Sequence, residues 1–167
     1  DLIEAQIAYA RVTGLLGADE RSIAMLTSLL EKHPENVNVR IALANANIRM
    51  GRFAFATLLL KPLVDLDTAS VGLLDLTGRL AQVSGDFEGA RQLFGRALAL
   101  RPNQPDILRR LALSFALSGE FPAAVAMIQK SMDSSTGLIE GKKDLALVYA
   151  LSGQYSGALQ LARGAMS

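Results

Sequence analysis

Every 34 residues this chain repeats a short word made of a glycine, a polar residue and an aromatic ring. Gly51-Arg52-Phe53, Gly85-Asp86-Phe87, Gly119-Glu120-Phe121 and Gly153-Gln154-Tyr155 are its four copies. Three residues after each aromatic stands an alanine: Ala56, Ala90, Ala124 and Ala158. Seven residues before each glycine stands another small residue: Ala44, Gly78, Ala112 and Ala146. One period earlier the same positions hold Ala10, Gly17 and Ser22, with Asp19 in place of the aromatic. A unit this short cannot bury a core alone, so successive units must stack on one another. The register gives five units, 3–36, 37–70, 71–104, 105–138 and an incomplete 139–167, read as a single array over 1–167.

Within a unit the apolar spacing is helical. Leu73, Leu74, Leu76, Leu80 and Ala81 fall on one face, as do Phe87, Ala90, Leu93, Phe94, Ala97 and Leu98. The glycine between the two runs can take positive φ and end the first helix without steric cost. Each unit therefore reads as two antiparallel helices of roughly 13 residues, and the fold class as an all-α, right-handed solenoid. Small residues mark close helix contacts, Ala112 against Ala124 for example, and the aromatic after the glycine is expected to fill the space beside them. Pro62 falls inside a second helix and predicts a kink or a shortened last turn, whereas Pro122 falls in a first turn and does little harm. No polar capping helix follows the last unit. An apolar end of that kind is expected either to have lost residues or to be covered by another chain.

Chemistry is sparse. The 167 residues are 50% apolar and 20% charged, with 17 Lys and Arg against 16 Asp and Glu, a net charge of +1. That balance removes bulk charge as a reason to bind nucleic acid. Without cysteine, and with His33 as the single histidine, there is no disulfide, thiolate zinc site, cysteine nucleophile or multi-histidine metal site. His33 precedes Pro34 at a helix C-terminus, where a cation is favoured. The stretch Gly137 to Lys143 lacks the spacing and hydroxyl of a phosphate loop and is expected to link two units, with Lys142 and Lys143 exposed. Carboxylate pairs such as Asp65 with Asp67, or Asp19 with Glu20, read as solvated groups at helix ends. The expected protein is not an enzyme and carries no cofactor and no metal. The longest apolar run, Phe53 to Leu60, stops at Lys61 and Pro62, short of a membrane span. The chain starts at Asp1 with no visible targeting segment, which suggests a processed or truncated form.

The pattern resembles the tetratricopeptide repeat. In unit 71–104, Leu74, Gly78, Gly85, Phe87, Ala90, Phe94, Ala97 and Pro102 match its signature, while Ala81, Asp19, Thr68 and Thr136 depart from it. The resemblance implies that first helices line a concave groove and that the protein is a protein-binding scaffold. By register the lining residues are Arg11, Asn38, Ile41, Asn45, Arg49, Asp75, Arg79, Gln82, Asp106, Arg109, Leu113, Leu117, Lys143, Leu147 and Leu151. The partner-binding set expected from them is Asn45, Arg49, Asp75, Arg79, Arg109, Leu113, Leu117, Lys143, Leu147 and Leu151. Its first half is polar and its second greasy, which suits a segment with apolar anchors and an acidic flank. Leu113 and Leu147 equally suit packing between units. A chaperone-type carboxylate clamp is not expected: Asn45 matches it, but Ile41 replaces a lysine, and Asp75 and Asp106 would repel a carboxylate.

Three segments, Leu111–Gly119, Asp144–Gly153 and Ala158–Arg163, resemble the end of TadD-type proteins of tight-adherence (Flp) pilus assembly. That resemblance implies a periplasmic assembly factor whose groove holds a secretin or another pilus-assembly component, with a lipid anchor upstream of Asp1. The competing readings are a cytoplasmic adaptor and a regulatory segment of a larger enzyme. Self-association through the apolar stretch Gln154 to Met166 is a further expectation.

Overall fold

The computed structural model describes residues 2–66, 69–133 and 138–166. It is all helical, with no strand among the described residues. In chain order the helices are α1 (Leu2–Leu15), α2 (Asp19–Lys32), α3 (Val37–Arg49), α4 (Phe53–Val64), α5 (Val71–Val83), α6 (Phe87–Leu100), α7 (Pro105–Leu117), α8 (Phe121–Met132), α9 (Leu138–Leu151) and α10 (Tyr155–Met166). They pair into five antiparallel hairpins whose boundaries follow the 34-residue register, and the solenoid fold expected from the period is the one observed. Packing divides the chain into two compact lobes, Asp1–Ala69 with hairpins 1 and 2, and Ser70–Ser167 with hairpins 3, 4 and 5. Thr68 and Thr136, the two departures at hairpin junctions, lie outside the described residues, as do Asp67 and Gly137.

Each hairpin turns in the same way. Gly17, Gly51, Gly85, Gly119 and Gly153 all have positive φ, between 71° and 89°. In hairpin 4 the Gly119 N–H donates to the Ala116 carbonyl and the Glu120 N–H to the Phe115 carbonyl, and the other four turns repeat both bonds. This closure satisfies carbonyls that the ending helix leaves open, and it needs a left-handed residue at the glycine position. At the other ends, Asn36, Ser70 and Asp86 accept side-chain hydrogen bonds from the N–H of Val39, Leu73 and Gly89. Pro105 needs no such partner, because the N–H it lacks would be an orphan in the first turn.

The hairpin cores are periodic as well. Leu26, Leu60, Phe94 and Ile128 succeed one another at the 34-residue interval and are fully buried. Phe94 corrects one expectation. The aromatic after the turn glycine fills the space beside the small residues only in part: Phe121 is half-buried and packs against the cluster of Ala112, Ala116 and Ala124, Phe87 is half-buried, and Phe53 and Tyr155 are exposed. In hairpin 3 the space at Gly78 belongs to the residue seven positions after Phe87. A Cβ placed on Gly78 would lie 2.6 Å from the Phe94 ring. Hairpins 1, 2 and 4 combine Ala10, Ala44 or Ala112 with the smaller Leu26, Leu60 or Ile128, so what the small position gains the large one gives up. In hairpin 1 the serine that replaces the repeating alanine is also buried, and the Ser22 Oγ–H donates to the Ala10 carbonyl at 2.7 Å. No buried side-chain nitrogen or oxygen among the described residues lacks a partner.

Of two further expectations, one holds and one changes. α4 runs through Pro62 and ends at Val64, two residues before the position at which α6 ends one period later. The last turn is shortened, yet α8 stops at the same register position without an interior proline, so Pro62 does not set the end alone. The stretch 138–143 is not a link but the start of α9. Gly141 is buried there, and a Cβ on it would lie 2.3 Å from Met132 Cγ. It is a glycine of close helix packing between α8 and α9. Lys143 is exposed as expected, but Lys142 is half-buried.

Candidate partner-binding surface

Hairpins 3, 4 and 5 place their first helices side by side: α5 touches α7, and α7 touches α9. Their second helices do not touch one another among the described residues. The first helices are thus the closely packed layer of this lobe. Eight of the ten residues expected to bind a partner lie on them.

Charge joins these helices. Asp75 of α5 accepts from Arg110 of α7 at 2.9 Å and lies 3.5 Å from Arg79 on its own helix. Arg109, the neighbour of Arg110, turns the other way and donates to Asp144 of α9. Its guanidinium also lies 3.3 Å from Asp106 and 3.8 Å from Glu140. These two links use the same pair of register positions with the signs reversed. Asp75 and Arg109 share one position, and Arg110 and Asp144 share the next. The hydrogen bond that Arg109 donates to Asp144 raises the Arg109 pKa above its ordinary value against the opposing effect of burial, and Asp106 and Glu140 add to the rise. Lys143 donates to Glu140 at 3.0 Å, and this bond holds the Glu140 carboxyl below its ordinary value. Gln82 fastens the same seam, its Nε2 donating to the Arg110 carbonyl at 2.9 Å and to Ser114 Oγ at 2.8 Å. Asp75 and Arg109 therefore serve as links between repeats.

The apolar members of the set gather. Leu113 of α7 and Leu147 of α9 both line a cavity of about 140 Å³, beside Arg109 and Asp144 and above the buried Ile128 and Val148. Leu113 is half-buried, while Leu117, Leu147 and Leu151 are exposed. Val83 of α5 stands one period before Leu117 and is exposed too. It escaped the sequence reading because Arg79, one turn earlier, marked that helix as polar. Arg110 and Asp144 escaped as well. The sign reversal at adjacent register positions was the available signal.

In the other lobe Arg49 donates to Asp19 Oδ1 at 2.8 Å, and its Nη2 would lie 2.2 Å from a Cβ on Gly14. Asp19, which takes the place of the repeating aromatic, thus anchors the end of α3 to the first turn of α2. Asn45 is exposed on α3. His33 closes α2, its N–H donating to the Leu29 carbonyl. No helix among the described residues is long and apolar enough to cross a membrane. No cluster of three or more metal-ligating side chains occurs among them.

Residues 76–135, from the middle of α5 past the end of α8, match the family model of the tetratricopeptide repeat. This segment is similar to the tetratricopeptide repeat. It carries Arg79, Arg109, Leu113 and Leu117, while Lys143, Leu147 and Leu151 belong to the hairpin that follows. Solved structures extend the likeness of fold over nearly the whole chain. A crystal structure of MamA protein aligns over 98% of this chain and 90% of its own, with 22% identity and a TM-score of 0.83. MamA from Desulfovibrio magneticus aligns over 99% and 94%, with 13% identity and a TM-score of 0.86. A tetratricopeptide repeat protein from Parabacteroides merdae aligns over 98% of this chain and 65% of its own, with 16% identity and a TM-score of 0.85. No curated protein matches the chain in sequence.

Proposed function

We propose that this chain is a non-catalytic protein-binding scaffold that holds an apolar-anchored segment of a partner across α7 and α9. One observation carries the reading: Leu117, Leu147 and Leu151 stay exposed beside a cavity that Leu113 and Leu147 line. Grouped exposed leucines on a rigid helical layer favour an interaction surface. The ion pair at the cavity edge, Arg109 with Asp144, and the pair of Lys143 with Glu140 on α9 are satisfied within the chain. Apolar contact is then the main source of affinity, and charge sets orientation.

The finer reading is assembly of a tight-adherence pilus from the periplasmic side of an outer membrane, with a secretin or another pilus component as partner. It rests on the resemblance of the segments Leu111–Gly119, Asp144–Gly153 and Ala158–Arg163. The test is capture from a bacterial envelope extract, with the parent chain beside a Leu117→Asp, Leu151→Asp variant of equal melting temperature. Capture of a pilus component by the parent alone supports both readings. Equal capture by the two baits overturns the surface. If neither bait retains an envelope protein, a cytoplasmic adaptor or a regulatory segment of a larger enzyme becomes the better reading.

A further inference from the structure

Hairpins 1 and 2 leave open a place that hairpins 3, 4 and 5 fill with their own side chains. Between α2, the end of α3 and the start of α4 lies a cavity of about 540 Å³, whose lining includes Ile23, Thr27, Asn47, Arg52, Phe53 and Phe55. Two periods later, Arg91, Phe115 and Phe121 stand in the register of Ile23, Asn47 and Phe53. There the Arg91 guanidinium lies 5.0 Å from the centre of the Phe115 ring and donates to Ser118 and Glu120 at the turn. One period further, Val125 and Tyr149 take the positions of Ile23 and Asn47, and both pack against the core built by α7, α8 and α9. An aromatic ring from a first helix thus occupies this place twice. In hairpin 2 an amide replaces the ring, and an isoleucine replaces the cation that covers Phe115.

The missing ring leaves its mark on the neighbours. Phe121 is half-buried, whereas Phe53 is 36% and Phe55 51% exposed. Asn47 is the buried member of the lining, 1% exposed, and its Nδ2 donates to the Leu43 carbonyl at 2.8 Å. With the nitrogen end of the amide turned to its own helix, the carbonyl end is the acceptor offered to a ligand. A buried acceptor between apolar walls selects a ring that brings a donor, because a ring without one takes water from the carbonyl and returns nothing. Arg52 is paired with Glu20 at 2.5 Å, so the cavity has no strong preference for an anion. Its guanidinium can still cover a ring face, as Arg91 covers Phe115.

We propose that this cavity receives an aromatic side chain bearing an N–H or O–H group, tryptophan or tyrosine, from a segment of a partner protein. The occupant follows from the later hairpins, where protein aromatic side chains, Phe115 and Tyr149, hold the same place. The site is independent of the surface on α7 and α9. The chain contains no tryptophan, so the fluorescence of N-acetyltryptophanamide reports binding with no indole background. With the purified chain its emission is expected to move to shorter wavelength, saturably, at roughly millimolar concentration. Methylating the indole nitrogen of the probe removes the donor and is expected to weaken binding several-fold. Asn47→Phe supplies the ring from within and is expected to abolish binding. Thr27→Phe blocks the cavity from an exposed position on α2 and is expected to do the same without touching the core. Helicity and melting of both variants are checked beforehand, and Thr27→Phe decides if Asn47→Phe does not fold. A parent that gives no saturable shift overturns the proposal, as does undiminished binding by Thr27→Phe. Equal affinity for the methylated probe overturns the contact with Asn47. Binding of free indole without binding of N-acetyltryptophanamide overturns the proposal in favour of a small free ring.

Discussion

Gly78 and Phe94 show how much one methyl group decides in a core of this kind. The phenyl ring occupies the place that an alanine methyl holds in hairpins 1, 2 and 4, and a Cβ on Gly78 would sit 2.6 Å from it. Gly78→Ala gains roughly 1 kcal/mol of helix propensity, but overpacking a rigid ring in a full core costs about 1–3 kcal/mol. The ring cannot move aside as a flexible side chain could. The expected outcome is a net loss of stability, read as a lower midpoint in urea. Gly78→Ala combined with Phe94→Leu recreates the alanine–leucine combination of hairpin 2 and is expected to recover most of that loss. If the single variant is as stable as the parent, the proposed division of volume between the two positions is wrong.

Among the elements, α4 carries a built-in defect. Pro62 removes the hydrogen bond that its amide would give to the Leu58 carbonyl, and Pro62 and Leu58 are both exposed. Solvent can satisfy that carbonyl, which explains why the helix continues to Val64 instead of breaking. Pro62→Ala is expected to stabilise the lobe that contains hairpins 1 and 2, by up to about 3 kcal/mol. Thermal unfolding with calorimetry checks this, and an unchanged or lower midpoint would mean that the proline holds a geometry alanine cannot. The sequence placed this proline inside the helix correctly. It did not show that α8 would end at the same register position without one, because helix ends also depend on the chain that follows. The start of α9 was obscured for a similar reason. Glycines among lysines read as a loop until Met132 is seen packed against Gly141.

For the molecule as a whole, acid is the condition that probes its surface ion pairs. The Glu88 carboxyl is held below its ordinary value by hydrogen bonds from Arg91 and then Gln92, and that of Glu140 by Lys143. A carboxyl whose pKa falls on folding contributes stability that is complete above its unfolded value of 4.5 and is lost as pH drops through the folded value. The melting temperature is therefore expected to hold steady from neutral pH to about 5 and to fall below it. Glu88→Gln with Glu140→Gln should flatten that decline; an unaltered decline would assign it to other carboxylates. The sequence by itself determined the period, the five hairpins, the left-handed glycines and the greasy second half of the candidate surface. Each of these follows from residue type at a fixed spacing along one chain. Only the tertiary structure decided that Asp75 and Arg109 are spent linking repeats and that Phe94 covers Gly78. It also decided that Phe53 is exposed while Phe121, two periods later, is half-buried. Neighbouring helices meet with a one-residue offset, and whether a side chain is covered depends on a partner surface 34 residues away, which local spacing does not encode.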